Sequence, residues 1–160
     1  AFARAGLRIP TVPSEALARL EALGLPPGTG LENPVDTPAG TLRHRKGAVA
    51  GEILDILVGA GAFDVVVLHV NLPVFTTAAN QSVDVIGGLV REAVRVGRDG
   101  PADAPRIALV LRSDGAEATD ARRRVDRATA LAAGIPVFDE LAEAAVALAA
   151  VAGWEAFRLR

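Results

Sequence analysis

Two stretches of the chain are aliphatic without polar alternation, Val65-Val66-Val67-Leu68-His69-Val70 and Ile107-Ala108-Leu109-Val110-Leu111. Unbroken runs rich in β-branched residues are the pattern of strands buried on both faces, as in a parallel sheet. Leu7-Arg8-Ile9-Pro10 and Pro136-Val137-Phe138, the latter after Gly134-Ile135, read as two further, shorter strands. Between these runs the apolar positions fall at helical spacing. Ser14 and Glu15 with leucines at 17, 20 and 23 predict a short amphipathic helix ending at Gly24. Val49, Ile53, Ile56, Leu57 and Ala60 predict a second, closed by Gly59 and Gly61. Val83, Ile86, Leu89, Val90, Ala93 and Val94 predict a long third helix with Thr76 or Thr77 as its N-cap. An Ala- and Arg-rich helix to Ala133 follows, and a last one, capped by Asp139, runs through Leu141, Ala145, Leu148 and Val151 towards Trp154. Ala1–Ala5 reads as the end of a helix stopped by Gly6.

Strands alternating with helices predict an α/β fold with a doubly wound parallel sheet, flavodoxin-like and three-layered α/β/α. Four candidate strands are one fewer than the flavodoxin-like order 2-1-3-4-5 needs. The expected absentee is the first, central strand, upstream of Ala1–Ala5, which would lie between Leu7–Pro10 and Val65–Val70. The chain contains no methionine, so Ala1 reads as a processed or internal end. The expected organisation is therefore one N-terminally incomplete domain over residues 1–152, with 153–160 as a C-terminal tail.

Composition narrows the chemistry. Hydrophobic residues make up 51% and charged residues 22% of 160, enough for a core and against disorder. No apolar stretch approaches the ~20 residues of a membrane span. Seventeen basic against 19 acidic residues and 4% aromatics give no nucleic-acid footprint. The absence of cysteine excludes disulfides, zinc–thiolate sites and thiol nucleophiles, and fits a cytoplasmic location; two histidines leave little for a metal site.

In an open parallel sheet the ligand site lies beyond the carboxyl ends of the strands, where helix N-termini offer free N–H groups. That rule selects Thr11–Pro13, Asn71–Thr77, Arg112–Thr119 and Phe138–Glu140. Asn71, Thr76 and Thr77, ahead of a long helix, are candidate phosphate ligands, the alternative being an ordinary βα turn with a threonine cap. Arg112 and Ser113, at the end of the next strand, complete the candidate set; Arg112 either meets an anion or pairs with a neighbouring acid. Asn33 and Asp36, in the Pro-, Gly- and Asn-rich loop from Pro26 to Gly40, are expected to shape the loop through Asx-turns and a helix cap. His69 is expected to be a hydrogen-bonded core histidine. His44, in Arg43-His44-Arg45-Lys46, is a candidate for binding an acidic group or a solvated loop residue. Arg122-Arg123-Arg124 and Arg127, mixed with Asp120 and Asp126, read as a solvated helix face. No nucleophile elbow, Walker loop, dinucleotide fingerprint or metal spacing is present, so no residue is expected to be catalytic.

The order Ala1-Phe2-Ala3-Arg4-Ala5-Gly6-Leu7, Asn33-Pro34-Val35-Asp36, Val65–Asn71, Arg106–Arg112 and Ala133-Gly134-Ile135-Pro136-Val137-Phe138 resembles a ligase domain of the NDP-forming acyl-CoA synthetases, in the succinyl-CoA synthetase superfamily. The resemblance runs from Phe2 to about Ala152. It implies a flavodoxin-like CoA-ligase domain that helps position a phosphohistidine or acyl phosphate while a carboxylic acid is joined to coenzyme A. It also implies a paired phosphohistidine-bearing ligase domain, a CoA-binding domain and a nucleotide-binding ATP-grasp domain, in the same chain or a partner subunit. CoA, ATP or GTP, and magnesium are the cofactors implied for the whole enzyme. Asn71–Thr77 matches the position of an Asn-x-x-Gly-Gly turn aimed at the phosphohistidine, with Val74-Phe75 here in place of the glycines. Asn33 and Asp36 match the family's Asn-x-x-Asp loop, and neither His44 nor His69 matches its phosphorylated histidine. The competing reading is a non-catalytic interaction or regulatory domain on the same scaffold, motivated by the lost glycines. A flavin-binding flavodoxin is a third, for which only Phe75 and Phe138 lie at the ligand edge.

Overall fold

The computed structural model describes residues 1–43, 47–76, 84–101 and 103–158. It is an α/β fold built on a parallel sheet of three strands in the order β1 (Val65–Asn71), β2 (Arg106–Arg112), β3 (Val137–Phe138). Val65 pairs with Arg106 and Asn71 with Arg112, so β1 and β2 run in register over their whole length. Leu109 and Val110 pair with Val137 and Phe138 on the other side. This arrangement is compatible with a doubly wound, flavodoxin-like sheet.

β2 fulfils the expectation of burial on both faces, since every residue from Ile107 to Leu111 is buried. Ile107, Leu109 and Leu111 enter the main core with residues of α3 (Ala48–Val58) and α5 (Val85–Asp99). Ala108 and Val110, which alternation directs to the opposite face, have no exposed surface. α7 (Leu141–Arg158) touches β2 and β3 and buries Ala144 and Ala145. β1 departs from the same expectation: only Val66 and Val70 are buried, and His69 is exposed. Among the described residues no strand pairs with its flank away from β2, and Val65, Val67 and Leu68 are only partly buried.

The strand expected over Leu7–Pro10 does not form. Residues 7–13 have no regular structure, and Ile9 is 48% exposed. A strand's N–H and C=O groups must be met by a neighbouring strand, and among the described residues none pairs with this segment, so a strand-like sequence alone does not hold the conformation. The helix end expected before it is a single 3-10 turn, Ala3–Ala5, stopped by Gly6 in the left-handed region and lying against α7.

α1 (Ser14–Ala22) buries Ala16 and Leu20 in a second cluster with Val49, Ile53 and Ile56 of α3. The following loop carries a short antiparallel bridge between Gly30 and Asp36, then α2 (Ala39–Arg43). α3 starts at Gly47, whose φ of 91° suits glycine; a Cβ there would come within 3.2 Å of the Leu89 backbone nitrogen. That close approach lets α3 and α5 pack their apolar faces together, and Arg95 ties them further through Asp55 at 2.7 Å.

The helix after β1 does not begin at Thr76 or Thr77. Residues Pro73–Thr76 form the separate short helix α4, and Thr77 and Val83 lie outside the described residues. The long helix α5 starts at Val85, capped by Asp84, whose side chain accepts the Gly87 N–H at 3.0 Å. α6 (Glu117–Ala132) follows β2 and packs on α5. α7 continues unbroken through Ala152 to Arg158, so residues 153 to 158 are helical; Arg106 is paired with Glu155. Among the described residues no helix is long and apolar enough to cross a membrane.

Candidate functional site

The carboxyl ends of the three strands bring Asn71, Arg112 and Ser113, and Asp139 and Glu140 to one edge of the sheet. Asn71 and Arg112 are register partners, and the Leu72 N–H donates to the Arg112 carbonyl at 2.9 Å. The fully buried Leu72 fixes this junction in the core, so the two side chains beside it are held at adjacent strand ends. Thr76 follows at the end of α4, with its hydroxyl 3.3 Å from that of Thr119 in the first turn of α6. Thr119 is only 3% exposed. The edge is therefore braced from β1 through α4 to α6.

The loop after β2 is shaped by two short side chains. Ser113 Oγ accepts the Gly115 N–H at 3.1 Å, and Asp114 accepts the Ala116 N–H at 3.1 Å. These are the local turns that serine and aspartate favour, and they leave Arg112 projecting from the strand end. The Ala116 N–H, together with the Thr119 hydroxyl, holds the Asp114 carboxyl below the usual carboxylate range. Arg112 has an acidic neighbour, Glu140, at 3.5 Å, and both side chains are 55% exposed. An ion pair that open to water is weak and easily exchanged for another anion.

His69 stands two residues before Asn71 on the exposed face of β1, not in the core. The aliphatic residues around it suggested burial, but alternation turns it away from Val66 and Val70. Partial desolvation and then the nearby Arg112 charge lower its pKa, against an opposing pull from Glu140. The shift favours the neutral, hydrogen-bonding ring over the charged one.

The helix terminus expected to face an anion is already satisfied. Asp84 occupies the start of α5, with Arg122 at 2.6 Å and Arg91 at 3.2 Å. Arg122 in turn holds the 3%-exposed Asp126 through two hydrogen bonds, at 2.5 and 2.9 Å. Arg122, Arg123 and Arg127 of α6 are thus ion-paired and not merely solvated, while Arg124 is exposed: Arg123 meets Asp120 at 3.2 Å and Asp139 at 3.1 Å, and Arg127 also reaches Asp139. Asp139 is consequently bound to arginines, and only its N–H takes part at the start of α7, donating to Glu143 at 3.3 Å.

Partial burial acts to raise the Asp84 carboxyl, but the Gly87 N–H and the guanidinium groups of Arg122 and Arg91 outweigh it and leave it below its ordinary value. A carboxyl depressed on folding contributes stability above its unfolded pKa and loses it as pH falls through the folded value. Asp84→Asn should therefore flatten the fall in urea midpoint below about pH 4, where free carboxyls titrate. Equal acid limbs for both proteins in unfolding series from pH 7 to pH 2.5 would refute this role.

Asn33 and Asp36 lie elsewhere. The Asn33 amide donates to the Pro10 carbonyl at 2.9 Å, and Asp36 exchanges two 2.9 Å backbone bonds with Gly30. Through these contacts they shape the loop. With Thr37, Val12 and α3 they line a groove beside β1, not the Arg112 edge. His44, Arg45 and Lys46 fall outside the described residues. Asp114 and Thr119 lie in the selected loop Arg112–Thr119, but sequence alone assigns them no role, because their roles depend on contacts with the Ala116 N–H and with Thr76.

The chain matches no protein-family model, and it finds no match among the curated proteins or the solved structures with which it was compared.

Proposed function

We propose that the chain is a three-layer, flavodoxin-like domain whose sheet has a further strand beside β1 in the intact protein. More particularly, it acts as the CoA-ligase domain of an NDP-forming acyl-CoA synthetase, working in the cytoplasm. The observation that carries this reading is the shared carboxyl edge, where Asn71, Arg112 and Ser113 end neighbouring parallel strands and Thr76 sits just beyond them. Such an edge is where doubly wound sheets take anionic ligands. The resemblance in motif order from Phe2 to about Ala152 supports the choice of family.

The domain's part in the reaction is electrostatic. A phosphohistidine or acyl phosphate presented by a paired ligase domain would meet the Arg112 guanidinium, released from its exposed partner Glu140, with amide and hydroxyl donors from Asn71, Thr76 and Ser113. Donors already fixed by strand ends stabilise the spread charge of a transferring phosphoryl group without a nucleophile on this chain. CoA, ATP or GTP, and magnesium belong to the CoA-binding and ATP-grasp partners. Among the described residues no group of three or more His, Cys, Asp or Glu side chains is gathered for a metal ion. The intact protein should release NDP in a manner dependent on both CoA and a carboxylic acid. An absence of turnover over a broad acid panel contradicts the reading.

The alternative, an interaction or regulatory domain, is favoured by one observation. Val74 and the buried Phe75 occupy the turn, and Asp84 has taken the terminus of α5. Thr76→Val in the intact protein separates the two: unchanged NDP release supports the non-catalytic domain.

A further inference from the structure

The carboxyl edge of the sheet holds one side chain that the anion site leaves unused. Register partners in a parallel sheet point to the same face. The pairings His69–Val110 and Asn71–Arg112 therefore put His69, Asn71 and Arg112 on one face, the one opposite Leu109 and Leu111 of the main core. Over β2 this face is covered, since α7 touches β2 and Val110 has no exposed surface. Over the end of β1 it is open: His69 is exposed and Asn71 half-buried. A rise of about 3.3 Å per residue sets these two roughly 7 Å apart along the strand. Both side chains, with that of Arg112, can meet one tetrahedral oxyanion.

The charges around His69 are few. Arg112 of β2 and Glu140, ahead of α7, act on it from opposite signs. β1 carries no other titratable side chain, and α4 carries none. Asp139 is held by Arg123 and Arg127 of α6, Glu143 of α7 accepts the Asp139 N–H, and Asp114 accepts the Ala116 N–H. Without an anion the charges of the edge close: Glu140 matches Arg112 at 3.5 Å, and partial desolvation beside the guanidinium favours an uncharged ring.

A bound dianion changes that sum. It displaces the exposed Glu140 carboxylate from Arg112, and one guanidinium then leaves one negative charge unmatched. A proton on His69 supplies the match. The anion also cancels the repulsion between the guanidinium and an imidazolium, which otherwise opposes protonation.

We propose that His69 is a proton-linked ligand of this edge, where a doubly charged tetrahedral oxyanion of the phosphoryl class binds between Arg112 and His69 as the ring takes up one proton from solvent. The linkage is reciprocal: the anion favours the charged ring by the same factor as the charged ring favours the anion. A singly charged anion is matched by Arg112 alone and takes up no proton, so the edge selects for double charge. The inference rests on the anion-site reading proposed above and not on ligase activity.

Sulfate is the probe, because its double charge does not change between pH 5 and pH 8. NMR titration of the protein follows the His69 ring, while the Asn71 side-chain amide and the Arg112 Nε–H report occupancy. Saturating sulfate should raise the His69 midpoint by about one pH unit, and sulfate should bind about tenfold more tightly at pH 5 than at pH 8. Chloride at equal ionic strength should leave the midpoint in place. His69→Gln, a neutral replacement at an exposed position, should fold unchanged and bind sulfate equally at both pH values. His44→Gln should keep the pH dependence, and Arg112→Ala should lose the binding. Sulfate that occupies the Asn71–Arg112 edge without moving the His69 midpoint overturns the inference and leaves the anion site standing. So does a pH dependence that survives His69→Gln. No response to sulfate at Asn71, Arg112 or His69 overturns both. A protein that shows the linkage but releases no NDP keeps the inference and refutes the ligase reading alone.

Discussion

Leu109→Ala is expected to destabilise the domain by about 3–4 kcal/mol, the range for removing a buried leucine side chain where the surroundings cannot collapse. Leu109 has no exposed surface and sits at the middle of β2, between Leu68 of β1 and Val137 of β3. Its side chain belongs to the core shared with α3 and α5, so strand neighbours on both sides hold the cavity open. Urea unfolding should show the loss as a lower midpoint at unchanged slope. Leu131→Ala, at a position 49% exposed on α6, is the control and should move stability by no more than about 0.5 kcal/mol. Similar losses for the two variants would mean that β2 is not the centre of the fold.

Arg112→Ala is the second large effect. In the intact protein it should lower the rate of NDP release about 100-fold, as expected for removing one preorganised donor from a developing phosphoryl charge. Its effect on stability should be small, below about 1 kcal/mol, because the pair it makes with Glu140 is open to water. Arg112→Lys keeps the charge and loses the forked geometry, so it should fall between the two. Steady-state rates and urea midpoints on the same samples separate the roles. A large stability loss with unchanged turnover would make Arg112 a structural residue.

Much of the fold was legible because its core is periodic. The aliphatic run at Ile107–Leu111 announced a strand covered on both faces, and β2 is one. Gly6 announced the end of its helical turn, since only a residue free to adopt a positive φ closes it cheaply. The same aliphatic signal at Val65–Val70 was less informative. A run of this kind records the environment a strand is suited to, and the described residues supply that environment on one side of β1 only. Leu7–Pro10 failed for a related reason: a strand exists through its neighbour, and apolar spacing does not say whether the neighbour is present.

The site was partly legible. Strand ends placed Asn71, Arg112 and Ser113 on one edge, because parallel topology alone determines which loops meet. The start of α5 was misplaced because threonine and aspartate both cap helices. The sequence Asp84-Val85-Ile86-Gly87, with apolar Leu89 and Val90 following, carries a cap signal equal to that of Thr76. In the α6 arginine cluster the Arg122–Asp126 pair follows from i,i+4 spacing. Its links to Asp84 and Asp139 join different elements, and no local pattern encodes them. His69 shows the limit of composition: its neighbours are aliphatic, yet the side chain of an edge strand faces outward at every second position.

On the proposed reading the Asn71–Arg112 edge serves phosphoryl transfer to or from a histidine other than His44 and His69. Incubating the intact protein with γ-labelled ATP and magnesium tests it most directly. The account predicts an acid-labile, alkali-stable phosphoryl label on a histidine other than His44 and His69, discharged by CoA with a carboxylic acid and markedly reduced by Arg112→Ala. No label under these conditions, or a label whose formation and discharge are indifferent to Arg112, would contradict it.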